Sequence, residues 1–122
     1  MELGESIKCI IRREIVLLDI KDLRDLCHDK SIAITKHAKF RLEERGISME
    51  DIKSAVQTGE IITRYEDDKP FPSCLLLGAT DRSKYIHIVA SIDNGYLYII
   101  TAYYPSENVW ESDLKTRKGQ QS

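Results

Sequence analysis

The chain has little of what marks several large functional classes. Its 122 residues include only three cysteines. Cys9, Cys27 and Cys74 stand far apart, form no CxxC pair, and have a single histidine neighbour, His28. This pattern excludes a disulfide scaffold and a zinc-finger arrangement, and it reads as free packing thiols in a reducing compartment. Long hydrophobic runs are missing too: Ile15–Leu18 falls far short of the roughly 20 residues a membrane helix needs. No leader pattern opens the sequence, so a cytoplasmic location with no membrane partner is expected. Neither sign of charge dominates. With 18 Lys and Arg against 20 Asp and Glu, the net charge is −2, and any nucleic-acid contact must rest on a local basic patch. The absence of HExxH, P-loop, GxSxG and GxGxxG patterns leaves no metal or cofactor to expect.

With three prolines, six glycines and no linker or repeat, the length fits one domain. The expected division is a helical extension over residues 1–30, one α+β domain over 31–118 and a frayed tail over 119–122. "SIKCIIRREIVLL" reads as helix followed by a short extended piece. Asp19 caps a helix predicted at about 19–28, with Ile20, Leu23, Leu26 and Cys27 at helical spacing. Thr35 caps the next, over 36–45, and Gly46 stops it. Ser48 and Asp51 then make a capping box for a helix whose stripe is Met49, Ile52, Ala55 and Val56, ended by Gly59.

Past Gly59 the period changes. "EIITRY", "SCLLLGA", "KYIHIVASI" and "GYLYIITAYY" are β-branched and aromatic, separated by turn residues, with Asn94-Gly95 the strongest hairpin signal. The expected architecture is therefore α+β: N-terminal helices, including an αα-hairpin, packed on a four-stranded antiparallel meander.

In "ITKHAKFRLEERGIS" the question is which side of the helix faces inward. Lys39 and Glu43 form an i,i+4 pair of solvated type. Taking the opposite direction as the core side, at 100° per residue, places His37 and Arg41 in the inward sector, between Phe40 and the pair Ala38 and Leu42. An inward guanidinium needs acceptors. It could pin the helix to the sheet or belong to a reactive site.

Alternation in "KYIHIVASI" gives Ile86, Ile88, Ala90 and Ile92 to the core and His87 to the other face, beside Tyr85. The same count on "GYLYIITAYY" puts Leu97, Ile99, Thr101 and Tyr103 on one face, and Tyr96, Tyr98, Ile100, Ala102 and Tyr104 on the other. Six tyrosines against two phenylalanines favour surfaces that are apolar with a polar tip: a core edge, a partner interface or a base-stacking platform. Lys115, Arg117 and Lys118 form a second cationic cluster.

Taken in order, "TKHAKFRLEERGIS", "GEIITRYEDDKPFPSCLLLG", "YIHIVASI", "YIITAYYP" and the downstream Trp110 resemble the bacterial and archaeal domain of unknown function 4258, over roughly residues 31–117. Glu66 stands where that family usually has proline, and its paired terminal arginines are here Arg117-Lys118. By analogy the plan is similar to RelE/ParE-like toxins and other small metal-independent ribonucleases. That resemblance implies a toxin-type endoribonuclease without cofactor, with RNA as substrate and a small antitoxin protein as partner. Its catalytic group would be His37, Arg41, His87 and Tyr103, with Arg45, Lys115 and Arg117 on neighbouring RNA phosphates. Two other readings stay open: a non-catalytic protein- or nucleic-acid-binding module, and a binder of small anionic ligands.

Overall fold

The computed structural model describes residues 18–67 and 71–119. The "SIKCIIRREIVLL" segment therefore lies almost wholly outside the described residues. The element order is α1 (Ile20–Asp25), β1 (Ile32–Ile34), α2 (Lys36–Glu44), α3 (Met49–Thr58), β2 (Glu60–Tyr65), β3 (Ser73–Ala79), β4 (Tyr85–Asp93) and β5 (Tyr96–Tyr103).

Local chemistry sets the helix limits. The Asp19 carboxylate accepts from the Lys21 amide, but α1 stops at Asp25, shorter than its apolar spacing predicts. The Thr35 hydroxyl accepts from the Ala38 amide at 3.1 Å, and Gly46, at φ +72°, turns the chain out of α2. Ser48 and Asp51 close a complete capping box on α3. Asn94 and Gly95 both take positive φ, the type I′ geometry that matches strand twist.

The sheet corrects the expected four-stranded meander. Among the described residues it has five strands in the order β1-β5-β4-β3-β2 and is mixed, because β1 pairs in parallel with β5. Three residues ahead of a helix cap are too short to announce a strand. Ile32–Ile34 sits there because its backbone pairs with Leu97, Tyr98 and Ile99, and that pairing ends before Thr101.

The helices cover one face of the sheet. Leu23 of α1, Leu42 of α2, and Ile52, Ala55 and Val56 of α3 pack on Cys74, Leu76, Ile86, Ile88, Ala90, Leu97, Ile99 and Ala102. Cys27 and Cys74 are buried free thiols, and burial pushes Cys74 up to about 11. Helix α3 lies so close to β3 that a Cβ on Gly78 would collide with the Ala55 carbonyl oxygen.

Two register details matter for function. A bulge in the β4–β5 ladder, between Val89 opposite Thr101 and Ala90 opposite Ile99, leaves Ile100 unpaired. Beyond it Ala102, not Thr101 or Tyr103, joins the core, so strict alternation misassigns the end of β5. Tyr103 is thereby directly opposite His87, on the face away from the helices.

Helix α2 carries the second correction. Its buried residues are Ala38 and Leu42, whereas His37, Phe40 and Arg41 are exposed. The inward direction follows the two apolar side chains Ala38 and Leu42, at about 100° and 140° from His37 by the 100° step, and not the direction opposite Lys39 and Glu43. In a helix of nine residues whose buried side chains are Ala38 and Leu42, two opposite charges at i,i+4 spacing on one flank are a poor compass.

Candidate functional site

The open face of the sheet is partly roofed by the segment after β5. Trp110 pairs with Arg117 across a small turn. The Glu111 amide donates to Thr116 O (2.8 Å) and the Lys118 amide to Val109 O (2.7 Å). The Asp113 carboxylate accepts from the Lys115 and Thr116 amides and from the Thr116 hydroxyl. The two amides, before other causes, hold the Asp113 carboxyl below its usual value. This local net makes the roof a fixed structure in a stretch with no regular element.

Beneath it lies His87, fully buried although it points away from the helix-packed core. Its ring meets Trp110 edge to face, with centroids 4.5 Å apart, and Tyr103 at 5.3 Å. Nε2 is 2.7 Å from the Leu114 carbonyl oxygen. A carbonyl only accepts, so Nε2 carries the proton and, in the neutral ring, Nδ1 accepts from the Tyr103 hydroxyl at 3.3 Å. Burial pushes the His87 pKa below the ordinary value, against the opposing bond to Leu114, and favours this neutral tautomer. Leu114 presents its carbonyl from a left-handed conformation, φ 61°, that leucine rarely adopts.

Tyr103 is half-buried and faces a cavity of about 250 Å³ lined by Thr63, Tyr65, Tyr103, Trp110, Lys115 and Arg117. Burial and then Tyr65 raise its phenol pKa, while Arg117 and Arg45 pull the other way. Arg117 lies over the Trp110 ring, 5.8 Å from its centroid. Lys115 Nζ is 3.0 Å from the Glu60 carboxylate, between this cavity and a larger one of about 530 Å³.

Arg45 reaches the same end of β5 from the helix layer. Because β1 stops at Ile34, opposite Ile99, no described strand pairs with β5 on that side there. Arg45 Nη1 donates to the Ala102 carbonyl at 2.8 Å and to Thr101 Oγ1 at 3.2 Å.

Of the seven residues expected at the site, five therefore converge: His87, Tyr103, Arg45, Lys115 and Arg117. His37 and Arg41 do not. They are exposed on α2 and engage no side chain among the described residues. Thr63, Tyr65 and Trp110 line the wall without having been expected at the site. Thr63 and Tyr65 alternate in "EIITRY" on the face of β2 that opposes Leu75 and Ser73, a signal that gains meaning only with the sheet order. Tyr96 and Tyr98, expected to share a face with Ala102, are exposed on the open face instead.

The arrangement offers a buried imidazole holding a phenol, with the Arg117 guanidinium and the Lys115 ammonium on an aromatic-walled cavity and the Arg45 guanidinium bonded next to Tyr103 at the edge of β5. Among the described residues no three His, Cys, Asp or Glu side chains converge as a metal site. No helix among them is long and apolar enough to cross a membrane. Residues 34–104 match the family described as Domain of unknown function (DUF4258). No curated protein and no solved structure matches the chain.

Proposed function

The chain belongs to that family of unknown function, and from its site we propose a ribonuclease-like domain that acts on RNA phosphate without a metal. The observation that carries the reading is Tyr103 hydrogen-bonded to buried His87, sharing a cavity wall with Arg117 and lying next to the Arg45 bonds at Thr101 and Ala102.

Cleavage of RNA by its own 2′-hydroxyl needs a group to take the 2′ proton and cations to stabilise the pentavalent phosphate. Tyr103 is the group that reaches the cavity. As the 2′-oxygen bonds to phosphorus, its proton passes to the Tyr103 oxygen while Tyr103 gives its own to Nδ1 of His87. The P–O5′ bond breaks, and solvent protonates the departing 5′-oxygen. The imidazolium formed has a partner on each side, Leu114 O and the Tyr103 oxygen. His87 is a positioning and proton-holding residue, since its ring does not reach solvent. Arg117 and Arg45 hold the phosphate, with Lys115 on a neighbour. Tyr65 and Trp110 offer aromatic walls to a base.

By fold-level analogy such an activity belongs to a toxin held by a small antitoxin protein. The test is incubation of the purified chain with RNA in a chelator, followed by analysis of product ends. Fragments ending in 2′,3′-cyclic phosphate and 5′-hydroxyl support the reading; intact RNA refutes it. A second reading has one observation in its favour: both His87 ring nitrogens are engaged, which suits a rigid wall as well as a proton relay. In that case the cleft binds RNA without turnover.

A further inference from the structure

His37 and Arg41 are absorbed neither by the core nor by the cleft, yet their placement is ordered. Four residues advance a helix by about 6 Å and slightly more than a full rotation, so His37, Arg41 and Arg45 leave α2 in one gently slanting row. The bonds from Arg45 to Ala102 and Thr101 fix the end of that row beside Tyr103. From there Arg41 and then His37 lead away over an exposed surface.

Two further observations bear on this row. Among the described residues Arg41, like Lys36 and Lys39 of the same helix, pairs with no carboxylate, although Glu44 lies one turn along, so its charge is open to a ligand. Beside the row, Phe40 is 57% exposed on an otherwise polar face. Guanidiniums at steps comparable to successive phosphates, next to an exposed ring, complement a single nucleic-acid strand: charge for the backbone, a flat face for a base.

Resting on the RNA reading above, we propose that His37, Arg41 and Arg45 form a phosphate track, with Phe40 as its stacking ring, for the single-stranded RNA that flanks the phosphate at Tyr103. Substrate binding is then extended and set largely outside the cleft. Glu44, on the rim of the row, opposes it.

The test uses the full chain and fully 2′-O-methylated oligonucleotides, which have no free 2′-hydroxyl and cannot be cleaved. Binding of a labelled dodecamer and of a dinucleotide is followed by fluorescence anisotropy across a salt series. Arg41→Ala should weaken dodecamer binding about tenfold and flatten its salt slope by about 0.7, the share of one phosphate contact on a single strand. Dinucleotide binding should change less than about twofold. Arg41→Lys should restore most of the slope, Phe40→Ala should weaken the dodecamer without altering the slope, and Glu44→Gln should tighten it. An unchanged slope in Arg41→Ala, or equal losses for both oligonucleotides, overturns the track. The first outcome would leave the face to a protein partner. Track and activity fail separately: dodecamer binding that depends on Arg41 in a chain that cleaves no RNA keeps the track and removes the nuclease.

Discussion

His87 and Tyr103 stand directly opposite each other on β4 and β5, with Nδ1 3.3 Å from the phenol oxygen, on the face of the sheet that no helix among the described residues covers. A polar pair in that position would ordinarily be wet. Here Trp110 and Leu114 fold over it and bury the histidine completely. The fold thus fixes the pair from below through strand register and from above through the roof segment.

The pair makes stability depend on pH. Burial holds the folded-state pKa of His87 below the ordinary 6.5, so the unfolded chain binds the proton first as pH falls. Stability is fully present above the unfolded value and declines as pH drops below it toward the folded one. Denaturant midpoints at about pH 7.5 and about pH 5 should show this fall, and His87→Gln should reduce it.

Arg45 joins the two layers at the open edge of β5. Arg45→Ala removes both bonds from Nη1, to Ala102 O and Thr101 Oγ1. The site is half-solvated, so the loss should be modest, about 1 kcal/mol by chemical denaturation. RNA cleavage should fall much further than stability does. An equal effect on both would mark Arg45 as purely structural.

Gly78 lets α3 lie against β3. A Cβ there would be 2.6 Å from the Ala55 carbonyl carbon and closer still to its oxygen, and backbone cannot rotate aside. Gly78→Ala should cost about 3 kcal/mol or more, read as a lower thermal midpoint or as insoluble expression. Wild-type stability would show that the helix slides freely.

Much of this was open to reading in advance, for local reasons. Caps at Thr35 and Ser48, the stop at Gly46 and the turn at Asn94-Gly95 are decided within a few residues, and each lies where its chemistry predicts. The aliphatic set of β4 assigned His87 to the far face correctly. What failed depends on distant partners. β1 exists only through Leu97, Tyr98 and Ile99, and the bulge at Ile100, which brings Tyr103 to His87, leaves no mark in the alternation. The burial of Ala38 and Leu42 over His37 and Arg41 is set by where β5 lies under α2. Trp110 and Leu114 reach His87 through a segment with no periodicity at all.

The most direct test of the account is RNA cleavage by Tyr103→Phe. The substitution keeps the ring and removes the one hydroxyl that joins the cleft to His87, at a stability cost of about 1–2 kcal/mol for the orphaned Nδ1. Circular dichroism confirms that the variant is folded before rates are compared. The account predicts cleavage by the wild-type chain and a loss of at least about a hundredfold in the folded variant, the scale of a missing proton-transfer group. A folded Tyr103→Phe chain that cleaves RNA at the wild-type rate would contradict it.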